Sequence, residues 1–402
     1  MRRGLSFVVV AALAGLQAVR PAVLAAQTPP SPAAPPAPVA AAAPAAPMAE
    51  AVFKNLQVIK GTTVNQFMET MGFFTASLGA DCTFCHVNES NGNWAKYADD
   101  NARKRIARRM FTMVEGINKT NFGGRQVVTC FTCHRGGNRP LVTASLAKLY
   151  GGGPLDEEQD DVVVAAQGAS ADSILDQYIK ALGGTERLAK LTSFAAKGTY
   201  QGYGDPEKRQ VDVYARAPRQ RATIVHGSDG DSSTVYGNGV AWLAAPITER
   251  PVTVQALTGG DLQAARIEAE VTFPARIKQS FPTWRAGLPS TIDDRDVQVV
   301  QGSGPGRGMA TFYFDKETGL LTRLVRYADS VVGRIPMQTD YSDYRDVGVR
   351  GAGAPGVMNV KLPFKWTYTW LDGRFTIELS ELRPNVAIPP ARFAKPAEPG
   401  KK

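Results

Sequence analysis

The sequence predicts a multidomain protein in which a small, mainly α-helical domain precedes a larger α+β domain built on a curved antiparallel sheet. Three observations predict it. Two stretches between residues 63 and 117 carry apolar side chains at helical spacing. Beyond residue 191 the pattern turns to strand-like alternation punctuated by hairpin turns. Between the two lies Gly151-Gly152-Gly153-Pro154 followed by Asp156, Glu157, Glu158, Asp160 and Asp161, the composition of a linker.

The elements follow in order. Arg2 and Arg3 precede an apolar stretch from Leu5 to Val19 and small residues at Ala25 and Ala26, so residues 1–26 are expected to be an export signal. That stretch is short for a membrane span, though an uncleaved signal would still anchor the chain. No cysteine follows it, which excludes a lipid-modified N-terminal cysteine. Residues 27–48 are nearly all Pro and Ala and form an extended tether. In residues 49–148, Val64, Phe67, Met68, Met71, Phe74 and Leu78 mark the first helix, with Thr63 and Gln66 as its capping box and Gly79 as its stop. A second helix is expected from Asn101 to Ile117, with Asp99 or Asp100 as N-cap and Ile106, Met110, Met113, Val114 and Ile117 on one face. Gly123-Gly124 breaks it.

After the linker at 149–170, residues 171–395 open on a helix from Ala171 to Leu191 interrupted at Gly183-Gly184. Strands are expected over Val211–Tyr214, Thr311–Phe314 and Leu321–Tyr327, and a hairpin over Trp366–Leu379 turning at Asp372-Gly373, where both turn residues accept positive φ. Residues 396–402 form a tail.

The chemistry is concentrated in the helical domain. All four cysteines fall in two copies of one pattern, Cys82-Thr-Phe-Cys85-His86 and Cys130-Phe-Thr-Cys133-His134, which also use two of the three histidines. In such a turn the two thiols add to the vinyl groups of a haem and the adjacent imidazole becomes an axial ligand of its iron. The small domain thus reads as a c-type dihaem domain with His86 and His134 as metal ligands. Two disulfides are the first alternative, but a stapling framework spreads its cysteines instead of confining them to tight pairs. A four-cysteine zinc site is the second, yet its pairs are usually separated by roughly 15–20 residues, fewer than lie between Cys85 and Cys130. A redox-active Cys-x-x-Cys pair would need a βαβ context that neither motif has. Thioether attachment requires an exported chain, which agrees with the signal and places the protein in the periplasm, by the general secretory route.

A sixth iron ligand is needed to close each haem. No third histidine lies in the region, and each haem turn is preceded by a helix bearing methionines, whose thioether would favour the ferrous state. The cations Lys96, Arg103, Lys104, Arg105, Arg108 and Arg109 form either a solvated helix face or a surface steering an acidic redox partner. Arg135 is a candidate for a haem propionate. The formal charge of +9 does not indicate nucleic acid, since the chain is exported and its basic helix lacks interleaved aromatic residues.

Residues 55–140 resemble the cytochrome c subunit of photosynthetic reaction centres. The resemblance rests on Thr70-Met71 before a Leu-Gly turn, on Cys82–His86, on Ala107-Arg108-Arg109-Met110 with Met113, on Ile117-Asn118, and on Val128-Thr129-Cys130 through His134-Arg135-Gly136. It implies Met71 as sixth ligand of the first haem and Met110 of the second, with Met68 and Met113 as the fallback choices. It implies electron transfer as the function and a membrane electron-transfer complex such as a reaction centre as partner. Family members serving reaction centres carry four haems, whereas this chain has two attachment motifs and an unrelated C-terminal domain, so another periplasmic electron route is an equal alternative.

The helix opening and the Tyr313–Leu320 hairpin of the C-terminal domain resemble periplasmic lipoprotein-carrier half-barrels, which implies an apolar groove for an acyl chain, a lipoprotein or a peptide. No nucleophile elbow or paired metal motif stands out there. Gly302-Ser-Gly-Pro-Gly-Arg-Gly308 sits between strands and reads as a hairpin loop, and His226 as a loop residue. The expected function is therefore an electron carrier, not an enzyme. Its alternatives are a dihaem peroxidase, with one iron left open, and a haem-tethered lipid- or partner-binding module.

Overall fold

A computed structural model describes residues 44–399 apart from 91–92, 141–167, 203, 307 and 350–357. The export signal, almost all of the tether and nearly all of the 149–170 linker lie outside the described residues. All described residues belong to one compact unit.

The C-terminal half is a sheet of fourteen antiparallel strands. In spatial order its main path runs β6 (Val254–Leu257), β5 (Val240–Ala244), β4 (Gly230–Gly237), β3 (Gln220–Gly227), β2 (Arg209–Arg216), β1 (Ser193–Gly202), β14 (Gly373–Pro384), β13 (Met358–Trp370), β12 (Gly333–Val349), β11 (Leu321–Ser330), β10 (Gly308–Asp315), β9 (Arg295–Gly304) and β7 (Thr283–Ala286), with β8 (Ser290–Ile292) also paired to β9. Alternation puts Val211, Val213 and Ala215 of β2 into the core, as it does Phe312 and Phe314 of β10.

The C-terminal helices are α5 (Ala171–Ala181), α6 (Thr185–Leu188) and α7 (Gly259–Val271). Ile174, Leu175 and Tyr178 of α5 and Ile267 and Val271 of α7 fill the same core as the inward strand residues. Curvature follows from reach. Helix α7 touches β3, β4 and β5 and also β11. Seven strand spacings separate β4 from β11 along the sheet, about 34 Å if flat, but a 13-residue helix spans only about 20 Å. The sheet therefore curls around α7.

The N-terminal helices are α1 (Ala49–Val52), α2 (Val64–Leu78), α3 (Ala102–Phe122) and α4 (Cys130–His134). The capping box at Thr63 and Gln66 is formed, and Gly79 ends α2 at φ +59. Helix α3 is capped not by Asp99 or Asp100 but by Asn101, whose Oδ1 accepts from Lys104 N–H at 3.0 Å. Asp100 is instead drawn to Arg108, at 2.8 Å. The helix also runs past Ile117 to Phe122, stopping at Gly123 with φ +61.

These helices share a core with the sheet. Ile59, Phe73 and Phe111 cluster with Ala328, Val332 and Ile335 of the β11–β12 hairpin, and Phe67, Met71, Cys130 and Leu371 pack around them. The helical region buries few other apolar side chains, chiefly Ala49 and Val64, too few for a core of its own.

The β13–β14 turn also differs from expectation. Trp370 pairs with Gly373, so the turn residues are Leu371 and Asp372, and neither they nor Gly373 have positive φ. Gly373 is glycine for another reason. A Cβ there would lie 2.2 Å from the Trp370 ring. His226 lies on strand β3 instead of in a loop, between Asp231 (3.0 Å) and Asp212 (3.4 Å). The 302–308 segment is the β9–β10 hairpin, as expected, with Gly304 paired to Gly308.

Candidate functional site

Both cysteine motifs are tight helical turns held by local caps. Asp81 caps the 3-10 turn Cys82–Phe84, accepting from Phe84 N–H at 3.1 Å and from the Thr83 hydroxyl at 2.7 Å. Thr129 and Thr132 form a reciprocal capping box at the start of α4. The turn ends at Arg135 and Gly136, both with positive φ. All four cysteines are free. Among the described residues no three His, Cys, Asp or Glu side chains converge as a metal cluster would require, so the two pairs do not meet as a zinc site.

The two histidines are oriented alike. His86 Nδ1 lies 3.2 Å from the Tyr97 carbonyl, and His134 Nδ1 lies 3.0 Å from the Gly137 carbonyl. A carbonyl only accepts, so each Nδ1 carries the proton and donates it. Each Nε2 then keeps a lone pair, the tautomer that a metal-ligating imidazole needs. The His86 ring also packs on Tyr97, centroids 4.9 Å apart, and Tyr97 stacks on Trp94. Burial first, and then Lys104, lowers the His86 pKa, which favours the neutral ring.

Helix α3 joins the two turns. At its start Asn101 Nδ2 donates to the Cys85 carbonyl at 2.6 Å, and Arg103 donates to the Phe84 carbonyl at 2.9 Å while lying over the Phe84 ring. Toward its end the buried Asn118 donates to the Val128 carbonyl at 2.7 Å and accepts from Val127 and Val128 N–H at 3.1 and 2.9 Å. Neither asparagine was assigned a role from sequence, although Ile117-Asn118 belongs to the motif quoted above. The end of α2, just ahead of the first turn, also touches the second turn directly. Gly136 N–H donates to the Ser77 carbonyl at 3.0 Å, and a Cβ on Gly79 would sit 2.2 Å from Gly136 O.

The methionines stand on the expected helices. Met71 is half-buried against the shared core, and Met68 is half-buried on the same helix. Met110 and Met113 are 37% and 45% exposed, in line with Ile106 at 47%, and Phe131 of the second turn is 51% exposed. An exposed apolar stripe beside two thiols and an imidazole lone pair matches a flat, hydrophobic, iron-bearing group, so the residues present fit a haem. Most of the basic cluster is engaged locally. Lys96 pairs with Asp99 at 3.2 Å, Arg108 with Asp100, and Lys104 donates to the Tyr97 and Asp99 carbonyls, each at 2.8 Å. Arg135 donates to the Thr132 carbonyl at 3.4 Å.

The sheet supplies parts of this site that the sequence did not suggest. The β5–β6 loop accepts the Trp94 indole N–H at the Ile247 carbonyl, 2.6 Å away, and the β11–β12 hairpin accepts Gln126 at the Ser330 carbonyl. Asn65 of α2 donates to Asp261 of α7. Glu69, hydrogen-bonded to the same carboxylate, has its pKa pushed up to about 9 by burial first and then by the Asp261 charge. Inside the curled sheet a cavity of about 40 Å³ lies among Arg221, Glu268, Tyr341, Trp366 and Tyr368. It has room for a few waters, against roughly 300–1,000 Å³ for a drug-sized ligand. An acyl chain would require α7 and the strands to part.

Residues 3–151 match the family model described as the photosynthetic reaction centre cytochrome C subunit. The photosynthetic reaction center cytochrome c subunit of Thermochromatium tepidum is 40% identical over 96 residues, covering 23% of this chain and 22% of that protein. The subunit of the same name from Roseobacter denitrificans is 32% identical over 101 residues, covering 23% and 26%. The chain thus spans about a quarter of the length of these curated relatives. Among solved structures, a LolA superfamily protein from Nitrosomonas europaea aligns over 57% of this chain and 99% of its own, with 15% identity and a TM-score of 0.36.

Proposed function

We propose that the protein is a periplasmic dihaem c-type cytochrome that passes single electrons. One haem would be held by Cys82, Cys85, His86 and Met71; the other by Cys130, Cys133, His134 and Met110. Met68 and Met113 are the substitutes if either methionine is displaced. The observation that carries this proposal is the pair of imidazoles, each directly after a Cys-x-x-Cys turn, each donating Nδ1–H to a backbone carbonyl and presenting Nε2 as a ligand. Similarity to reaction-centre cytochrome subunits supports it from sequence.

A haem bound this way supplies a one-electron couple, and sulfur as sixth ligand favours the reduced form. The chain's own residues do the rest. The Tyr97 and Gly137 carbonyls fix the tautomer and the ring orientation. Asn101 and Asn118 tie the methionine-bearing helix α3 to both turns, limiting ligand rearrangement between oxidation states. Arg135, directly after His134, is the cation we assign to a propionate. No chemistry beyond electron passage is required of these groups, which argues for a carrier and against a peroxidase.

The partner is a redox protein or a membrane electron-transfer complex, of which a reaction centre is one example. The export signal would deliver the chain to the periplasm, with an uncleaved signal or the partner holding it at the membrane. Among the described residues no helix is long and apolar enough to cross a bilayer. The C-terminal domain could also engage lipid or lipoprotein if its cavity widens.

Redox spectroscopy on protein exported in a host competent for haem attachment tests the proposal. Two c-type haems per chain are expected, and Met71→Ala or Met110→Ala should each abolish half of the ferric sulfur-to-iron charge-transfer band. A colourless product of bare-peptide mass would overturn the proposal, and two unaltered variant spectra would remove the assigned methionines.

A further inference from the structure

A carboxylate from the far end of the chain stands against α2, the helix that leads into the first haem turn. Asp372 lies at the β13–β14 tip, against α2. A Cβ on Gly72 would lie 2.8 Å from its Cγ and from both carboxylate oxygens, so the carboxylate rests directly on the helix backbone next to Met71. The tip is built to aim it. The Trp370 ring folds over Gly373 and packs on Phe375 at 5.8 Å, and Leu371 joins the shared core.

Met71, the next residue to Gly72, is the sixth ligand proposed for the first haem, whereas Met110, proposed for the second, stands on α3. Burial raises the Asp372 pKa, while Arg250, which donates to Asn65 at 3.3 Å, acts in the opposite sense and favours the charged carboxylate.

We propose that Asp372 is a positioning and potential-setting residue through which the C-terminal domain lowers the reduction potential of the haem at Cys82 relative to the haem at Cys130. This rests on the dihaem proposal above. A fixed negative charge beside a haem stabilises the ferric state, and in a partly buried site with an effective dielectric constant near 20 the effect of a unit charge is roughly tenfold in the ferric/ferrous ratio. The difference is supplied by a loop about 290 residues downstream of the haem it adjusts, a separation in chain position that the hairpin closes.

The test is a spectroelectrochemical titration of the full-length, haem-loaded protein as wild type, Asp372→Asn and Asp372→Glu. Asp372→Asn keeps the shape and removes the charge. One wave should rise by about 59 mV, the one-electron equivalent of tenfold, while the other stays in place and Asp372→Glu remains near wild type. Repeating the substitution in a Met110→Ala background, which displaces the wave of the second haem, should leave the Asp372→Asn shift on the other wave. Two intact waves that ignore Asp372→Asn, or that move together, would overturn this inference and leave the dihaem proposal standing. Absence of haem would overturn both.

Discussion

Gly79→Ala should cost far more than its size suggests, because two separate demands meet at that residue. It ends α2 with φ +59, a backbone region that costs a non-glycine residue roughly 1–2 kcal/mol. The new Cβ would also sit 2.2 Å from Gly136 O and 3.0 Å from Gly136 C. An ordinary carbon contact is about 3.5–4.0 Å, so the second haem turn must retreat by more than about 1 Å. Overpacking of that kind costs roughly 1–3 kcal/mol, and the Gly136-to-Ser77 hydrogen bond at 3.0 Å is worth about 1 more. The expected loss is about 4 kcal/mol. Gly123→Ala is the matched control, since Gly123 ends α3 at φ +61 with nothing within 4 Å of a new Cβ; it should lose only roughly 1–2 kcal/mol. Urea unfolding of both haem-loaded variants, followed by tryptophan fluorescence, measures the difference. Equal midpoint shifts would refute the claim that the end of α2 and the second haem turn are locked together at this crossing.

Asn118→Ala strips partners from two backbone N–H groups and one carbonyl at a buried position, so chemical denaturation should show a loss of about 2–4 kcal/mol; a loss below about 1 kcal/mol would contradict the clamp. Glu69, with its pKa at about 9 in the folded chain and an ordinary value of 4.5, holds a proton that the unfolded chain releases, so its contribution is fully present below 4.5 and is lost as pH rises toward 9. Glu69→Gln should therefore flatten the pH dependence, raising stability at pH 8 relative to pH 5 by on the order of 1–3 kcal/mol in paired urea titrations, and an equal effect at both pH values would contradict the assignment.

What could be read from the sequence was local. The Thr63–Gln66 box, the Gly79 and Gly123 stops and the two Cys-x-x-Cys-His turns depend on neighbours within a few positions, and the structure forms each of them. Asn101 was missed because Asp99, Asp100 and Asn101 are all acceptable caps, and the choice fell to a distant demand, Arg108 on Asp100. The Trp370–Gly373 turn was misplaced by one residue because Asp-Gly signals positive φ, whereas this glycine admits an indole ring. Asn118 gave no signal as a polar residue at the end of an apolar stripe, since its partners lie ten residues on, across the Gly123-Gly124 break. Asp372, Asp261 and Arg250 could not be placed beside α2 without the sheet order that brings the β13–β14 tip, the start of α7 and the β5–β6 loop to it.

That sheet order also explains why a proposed haem-binding region of this size is joined to so large a β domain. Its apolar residues fall into two sets. Ile59, Phe73 and Phe111 turn inward and meet Ala328, Val332 and Ile335; Ile106, Met110, Met113 and Phe131 turn outward. A free-standing domain would need the first set to close on itself while the second packs a cofactor, and too few side chains are available for both. The β11–β12 hairpin supplies the missing half of the inner core. The helices can then commit their remaining apolar face to haem. The same contacts that stabilise α2 bring Asp372 and Asp261 against it, so the domain that completes the fold is also the one whose charges would reach the proposed first haem.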